Sequence, residues 1–167
     1  MVRRSTVTRR SGLRGGPRWL TSHELATWME LRRLLLLLPA ALDSDTQRRA
    51  GVTFFEYQIM ATLSESDGRV RRMSELADLT SSSLSRLSHA VARLETKGLV
   101  ARRRCEGVGR SSVAVLTTKG MRKLASAAPD HVESVRALVI DALTKEQLGA
   151  LRVIATRIVE QLDDDDV

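Results

Sequence analysis

Between residues 73 and 100 the chain reads MSELADLTSSSLSRLSHAVARLETKGLV. Two helical patterns flank four consecutive hydroxyl residues, Thr80, Ser81, Ser82 and Ser83. Small hydroxyl side chains satisfy the free N–H groups at a helix start, so a helix met by such a run begins again rather than continuing. Ser74 is placed to cap a short helix over residues 75–79, with Leu76 and Ala77 inward, and Thr80 to cap a second over residues 81–97. Two helices this close with a cap between them cannot be collinear, which predicts a helix-turn-helix.

The second helix divides into faces. At 100° per residue, Leu84, Leu87, Val91 and Leu94 form one stripe, with Ser82, Arg86, His89 and Arg93 opposite. Lys97 followed by Gly98 is a usual helix stop. The pattern then changes to that of strands. Residues 99–105 and the Val-rich 111–116 read as two strands, joined by a turn over 106–109 that holds two glycines. Arg102, Arg103, Arg104 and Arg110 surround that turn, so a basic two-stranded wing follows the helix-turn-helix. Successive strand residues point to opposite faces, so Arg102, Arg103 and Arg104 cannot all meet one phosphate; at least one packs its stem on the core or pairs with an acid.

Helices fill the rest. A capping box at Thr21 and Glu24 opens a helix to about residue 38; Pro39 kinks it or starts a new turn, and helix resumes to about 49 before Gly51. A second box, Thr53 and Glu56, opens a helix with Phe55, Ile59, Met60 and Leu63 inward, closed by ESDGR at 65–69. Thr117 or Thr118 starts a helix through roughly residue 143, with a break at Pro129. A third box, Thr144 and Gln147, opens a last helix whose apolar stripe is Leu148, Leu151, Ile154, Ile158 and Leu162. Aromatic residues make up only 3% of the chain, so the core is Leu, Val and Ala, a composition that favours helices.

The formal net charge of +7 is unevenly placed. Residues 69–123 carry thirteen Lys/Arg against four Asp/Glu, whereas 19–68 carry four against seven and 124–162 four against five. A basic block between near-neutral flanks is the electrostatic footprint of a nucleic-acid binder. Residues 1–18 add six arginines and no acid, a disordered arm that could reach a minor groove; Asp163 to Asp166 form an acidic tail.

Several classes fall away. Cys105 is the single cysteine, which excludes an intramolecular disulfide and a multi-cysteine zinc site. Its arginine neighbours favour a thiolate and so a redox role, set against the ordinary packing role of a lone strand cysteine. His23, His89 and His131 lie far apart without ligand spacing, so no metal and no cofactor is expected. There is no glycine-rich phosphate loop and no Ser/His/Asp set, so no enzyme is expected. The longest apolar run is far short of the roughly 20 residues of a membrane span, and no apolar signal segment precedes Trp19; the expectation is a cytoplasmic protein with no membrane partner.

The order of elements, and above all SELADLTSSSLSRLSHAVARLETKGLVARR followed by R…AVLTTKG, resembles the MarR (multiple antibiotic resistance) family of bacterial transcriptional regulators over residues 20–162. The resemblance implies a mainly α fold with a small β-hairpin wing: a winged helix-turn-helix over 51–120, an N-terminal dimerisation helix over 19–50 and C-terminal dimerisation helices over 121–162, with the arm at 1–18 and the tail at 163–167. It implies that the helix over 81–97 is a recognition helix. Ser82, Ser83, Ser85 and Arg86 match the positions that enter the major groove, and Arg110 matches the wing-tip arginine that probes the minor groove. Together with the basic pattern, the expected DNA-binding set is Thr80, Ser82, Ser83, Ser85, Arg86, His89, Arg93, Arg104 and Arg110. The family's aspartate two residues before the wing arginine is here Val108, with Glu106 nearby. Trp28 either lines an effector pocket or is simple core, and Arg32, one turn on, could meet an anionic effector. The implied function is a homodimeric, sequence-specific repressor of a pseudo-palindromic operator, released by a small molecule. The alternative is a sequence-tolerant nucleic-acid or chromosome-associated protein.

Overall fold

A computed structural model describes residues 17–104 and 112–164. The elements run α1 (Ser22–Ala50), α2 (Phe54–Ser64), a 3-10 turn (Asp67–Arg69), β1 (Val70–Arg72), α3 (Met73–Leu79), α4 (Leu84–Thr96), β2 (Val100–Arg104), β3 (Ser112–Leu116), α5 (Thr118–Val135), a π turn (Arg136–Ile140) and α6 (Lys145–Asp164). The fold is mainly α with a small antiparallel sheet, as the sequence leads one to expect. Two compact units are present, Met1–Leu35 and Leu36–Val167, and the division falls inside α1.

All three capping boxes form. Thr21 N–H donates to Glu24 Oε2 at 2.7 Å, Thr53 N–H to Glu56 Oε2 at 3.2 Å, and Thr144 N–H to Gln147 Oε1 at 2.9 Å. Neither proline breaks its helix: α1 runs unbroken through Pro39 and α5 through Pro129. Both prolines are exposed, so water can serve the carbonyl each leaves unpaired. The long C-terminal helix instead loses α geometry after Val135, in the π turn. The last helix runs two residues into the expected tail, to Asp164.

The sheet has three strands, in the order β1-β3-β2, rather than the two of a lone hairpin. Val70 pairs with Val115 and Arg72 with Val113, while Val100 pairs with Leu116 and Arg104 with Ser112. Three residues with two arginines carry too little apolar alternation to announce β1; its partner β3 supplies the ladder.

The core of the second unit gathers Ile59, Met60 and Leu63 from α2, Leu76 from α3, Leu87, Ala90, Val91 and Leu94 from α4, and Val100, Ala114 and Leu116 from the sheet. Leu124 and Ala127 of α5 complete it. Gly120 lets α5 start hard against the sheet: a Cβ there would stand 2.0 Å from the Leu99 carbonyl oxygen. By contrast, none of the described α6 residues is buried, although Leu151, Ile154, Ile158 and Leu162 lie on it.

Candidate nucleic-acid interface

The hydroxyl run builds the turn between α3 and α4, though not as Thr80 capping α4. Thr80 is the C-cap of α3, and its hydroxyl donates back to the Leu76 carbonyl at 2.7 Å. Ser81 takes a left-handed backbone, φ 46°, the place where a glycine is usual. Ser82 N–H then donates to the Ala77 carbonyl and Ser81 N–H to the Asp78 carbonyl, closing a Schellman motif. Ser82 Oγ lies 3.1 Å from Thr80 Oγ1. Ser83 is the N-cap of α4, its hydroxyl accepting from Arg86 N–H at 3.2 Å, so α4 begins at Leu84. Nor does Ser74 cap α3: the N-cap is Arg72, without a side-chain hydrogen bond.

This start alters the faces of α4. Leu84, expected in the core, is 54% exposed and lines a groove with Arg72, Ser74, Ser88 and Arg102, because the first residue of the helix overhangs the core on the wing side. Ala90 takes its place in the buried stripe. With Leu87, Ala90, Val91 and Leu94 inward, the outermost ridge is Ser85, His89 and Ala92, all exposed. Ala92 is missed by sequence reasoning because an alanine signals neither face.

The two flanks of the ridge are held differently. On the α2 side, the Arg86 guanidinium carbon sits 4.4 Å from the centroid of the Phe55 ring, a cation–π contact that limits its freedom. Further along, Arg93 Nε donates to Glu56 Oε1 at 2.8 Å and Lys97 Nζ to Glu56 Oε2 at 2.9 Å. On the wing side, Arg102 is the arginine that pairs: its backbone N–H donates to Glu95 Oε1 at 2.8 Å and its guanidinium to the Ser88 carbonyl at 3.1 Å. Arg103 and Arg104 are exposed. Cys105, Glu106, Val108 and Arg110 lie outside the described residues, as do residues 1–16 of the arm.

Glu56 is the functional residue least visible in the sequence. Its side chain is 1% exposed. Burial alone pushes its carboxyl up, but Arg93, Lys97 and the Thr53 N–H together outweigh burial and hold it below the ordinary glutamate range. A carboxyl lowered by folding contributes stability that is complete above its unfolded value and is lost as pH falls through the folded one. The stability gap between wild type and Glu56→Gln in urea unfolding should therefore be widest near neutrality and shrink as pH drops below about 4.3. A gap that stays constant to low pH would contradict the ionised pairing.

Elsewhere in the second unit, Asp45 accepts from Ser134 and Arg49, contacts that hold its carboxyl low. A cleft of about 400 Å³ opens there, lined in part by Arg48, Arg49, Glu133, Ala137 and Leu138. His131 packs on Tyr57 with ring centroids 4.5 Å apart, and burial lowers its pKa. In the first unit Trp28 is 47% exposed rather than core, and Arg32 is exposed. Among the described residues no cluster of His, Cys, Asp and Glu could hold a metal ion, and no helix is long and apolar enough to cross a membrane.

The geometry agrees with known proteins. A sequence model described as MarR family matches residues 50–111. The structure is similar to that of AbsC, a MarR family transcriptional regulator from Streptomyces coelicolor, with TM-score 0.81 and 41% identity over 89% of this chain and 99% of that one. It is similar also to Sco3205 from the same organism, a MarR family transcriptional regulator solved in complex with DNA, with TM-score 0.83 and 42% identity over 87% of this chain and 92% of that one. A third, Sco5413, shares the fold at TM-score 0.74 and 22% identity, over 86% of this chain and 98% of that one. A search of curated proteins returned no match. Identity above 40% along nearly the whole of two regulators, joined to the same helix order and three-stranded wing, leaves one assignment: the chain belongs to the MarR family of transcriptional regulators.

Proposed function

We propose that the protein is a homodimeric, sequence-specific DNA-binding repressor acting in the cytoplasm and released by a small molecule. The observation that carries this reading is the exposed face of α4. It offers a hydroxyl, an imidazole and a methyl on its ridge, with Arg86 steadied beside them and no free acid among them. Small residues at a helix N-terminus admit close approach to a duplex, and an arginine one turn in can make the bidentate guanine contact. The DNA-bound relative Sco3205 supports it.

In this reading Ser83, Ser85, Arg86 and His89 meet base edges and nearby phosphates. Thr80 and Ser82 fix the turn against the backbone, and Arg104 and Arg110 carry the wing's contacts. Dimerisation uses apolar surface that each unit leaves uncovered: Leu25, Trp28 and Met29 in the first, Leu151, Ile154, Ile158 and Leu162 in the second. For the effector, Trp28 and Arg32 are the contacts proposed in the first unit, and the cleft beside Arg48 and Arg49 in the second has the size of a small-molecule site. Release requires only that the effector bind better to a dimer whose recognition helices are misspaced.

Half-site spacing tests the reading. Duplexes with half-sites about 10 base pairs apart, one turn, should bind far more tightly than duplexes with half a turn inserted. Equal affinity in a titration of both would contradict it.

A further inference from the structure

We propose that Glu56 is a positioning residue for DNA recognition: its buried carboxylate clamps the C-terminal half of α4 to α2 and to the end of α1, and Arg93 and Lys97 serve that clamp rather than the DNA phosphates. The inference rests on the DNA-recognition reading and assigns it an internal device.

One carboxylate closes three junctions. Oε1 accepts from Arg93, and Oε2 accepts from both Lys97 and the Thr53 N–H that opens α2. Lys97 Nζ donates also to the Gly51 carbonyl, immediately after α1, at 3.2 Å. Arg93 and Lys97 are four residues apart, on the same flank of α4, and both reach inward to the same acid. A basic pair meant for phosphates would gain nothing from a fully buried acid behind it, because that acid neutralises the field the phosphate should feel. A recognition helix that must be aimed gains from it. Apolar packing along Leu87, Val91 and Leu94 is non-directional and leaves the helix free to roll, whereas two charge-assisted hydrogen bonds at fixed sites do not. Arg102 with Ser88 and Glu95 holds the opposite flank, so α4 is braced on both sides of its ridge.

The test uses the full-length wild type and the E56Q, R93Q, K97Q and E56Q/R93Q proteins. Each is titrated, at several salt concentrations, into a duplex that the wild type enriches from a random pool and into a scrambled duplex. Glutamine at position 56 retains the capping box, and Arg93 and Lys97 are about half exposed, so the single variants keep the core. E56Q and R93Q should each lose about tenfold or more in affinity for the enriched duplex, as expected within one ion-pair network. Affinity for the scrambled duplex and the salt slope should stay as in wild type, and the double variant should be no weaker than E56Q. If E56Q fails to fold, R93Q and K97Q decide alone. Wild-type affinity in these variants overturns the proposal. So does an R93Q protein that loses both duplexes equally with a salt slope smaller by about 0.9, which would place Arg93 on a phosphate. A wild type that enriches no sequence is a separate outcome: it overturns the DNA-recognition reading before any variant is made.

Discussion

A protein carrying Ile154→Asp and Ile158→Asp should sediment as a monomer and lose roughly 10²–10⁴ of its specific DNA affinity, the span that bivalent engagement adds to a single site. The expectation starts from an imbalance in α6. Its stripe of Leu151, Ile154, Ile158 and Leu162 is between 38% and 60% exposed in the single chain, and none of its described residues is buried. An amphipathic helix keeps such a stripe only if something covers it, and an uncovered patch of this kind marks a protein–protein interface. Two aspartates there would have to be desolvated without partners in the dimer, which costs far more than the apolar contacts return. The DNA-binding core takes no residue from α6, so far-UV circular dichroism of the wing and core elements should persist. Sedimentation velocity and fluorescence anisotropy read the two effects. A variant that remains dimeric, or a monomer that binds as tightly as wild type, would contradict the proposed interface.

Gly120→Ala is expected to be the most destabilising single-methyl change in the second unit. Gly120 is buried in the first turn of α5, where its N–H donates to Thr117 Oγ1 at 2.9 Å. An alanine Cβ would stand 2.0 Å from the Leu99 carbonyl oxygen and 2.7 Å from Leu116 Cδ1. The leucine tip can move, but the carbonyl cannot move cheaply. It accepts from Thr117 N–H at 3.1 Å and Thr117 Oγ1 at 3.1 Å, the bonds that seat α5 against the sheet. Overpacking against fixed backbone should cost about 3 kcal/mol or more. For a chain of this length that lowers Tm by roughly 6–12 °C in calorimetry. Gly149→Ala serves as the control: nothing lies within 4 Å of its Cβ site, and alanine in a helix should be neutral or stabilising by up to about 1 kcal/mol. A Gly120→Ala protein that melts with wild type would show that α5 is not seated as described.

What the sequence disclosed depended on whether the signal was local. Capping boxes are three residues long, and all three formed as read, at Thr21, Thr53 and Thr144. Gly98 marked the end of α4 because a left-handed turn, φ 70°, was needed there. The start of α4 was misread because four adjacent hydroxyls can each cap a helix, and choosing Ser83 over Thr80 requires the α3 carbonyls that Thr80 and Ser82 satisfy. That three-residue shift exposed Leu84 and moved Ala90 into the core. β1 was invisible since three residues reveal no period; only pairing with β3 defines it. Arg93 looked like a groove residue because its face is polar, while the acid it serves lies 37 residues earlier in the chain. Glu56 itself was legible as a cap, but a cap is normally exposed, and nothing local foretold its burial. Trp28 matched a core pattern, yet it stands half exposed in the single chain, as residues of a dimer helix would.

The central claim is that α4 reads a specific duplex. The most direct measurement is selection of bound fragments from a random duplex pool by the purified full-length protein, followed by anisotropy titration of the enriched and scrambled sequences near 150 mM salt. The expected result is a pseudo-palindromic motif with half-sites about one turn apart, bound at least about 10³-fold more tightly than the scrambled duplex. No enriched motif, with equal and steeply salt-dependent binding to both duplexes, would contradict the claim and leave a sequence-tolerant nucleic-acid binder in its place.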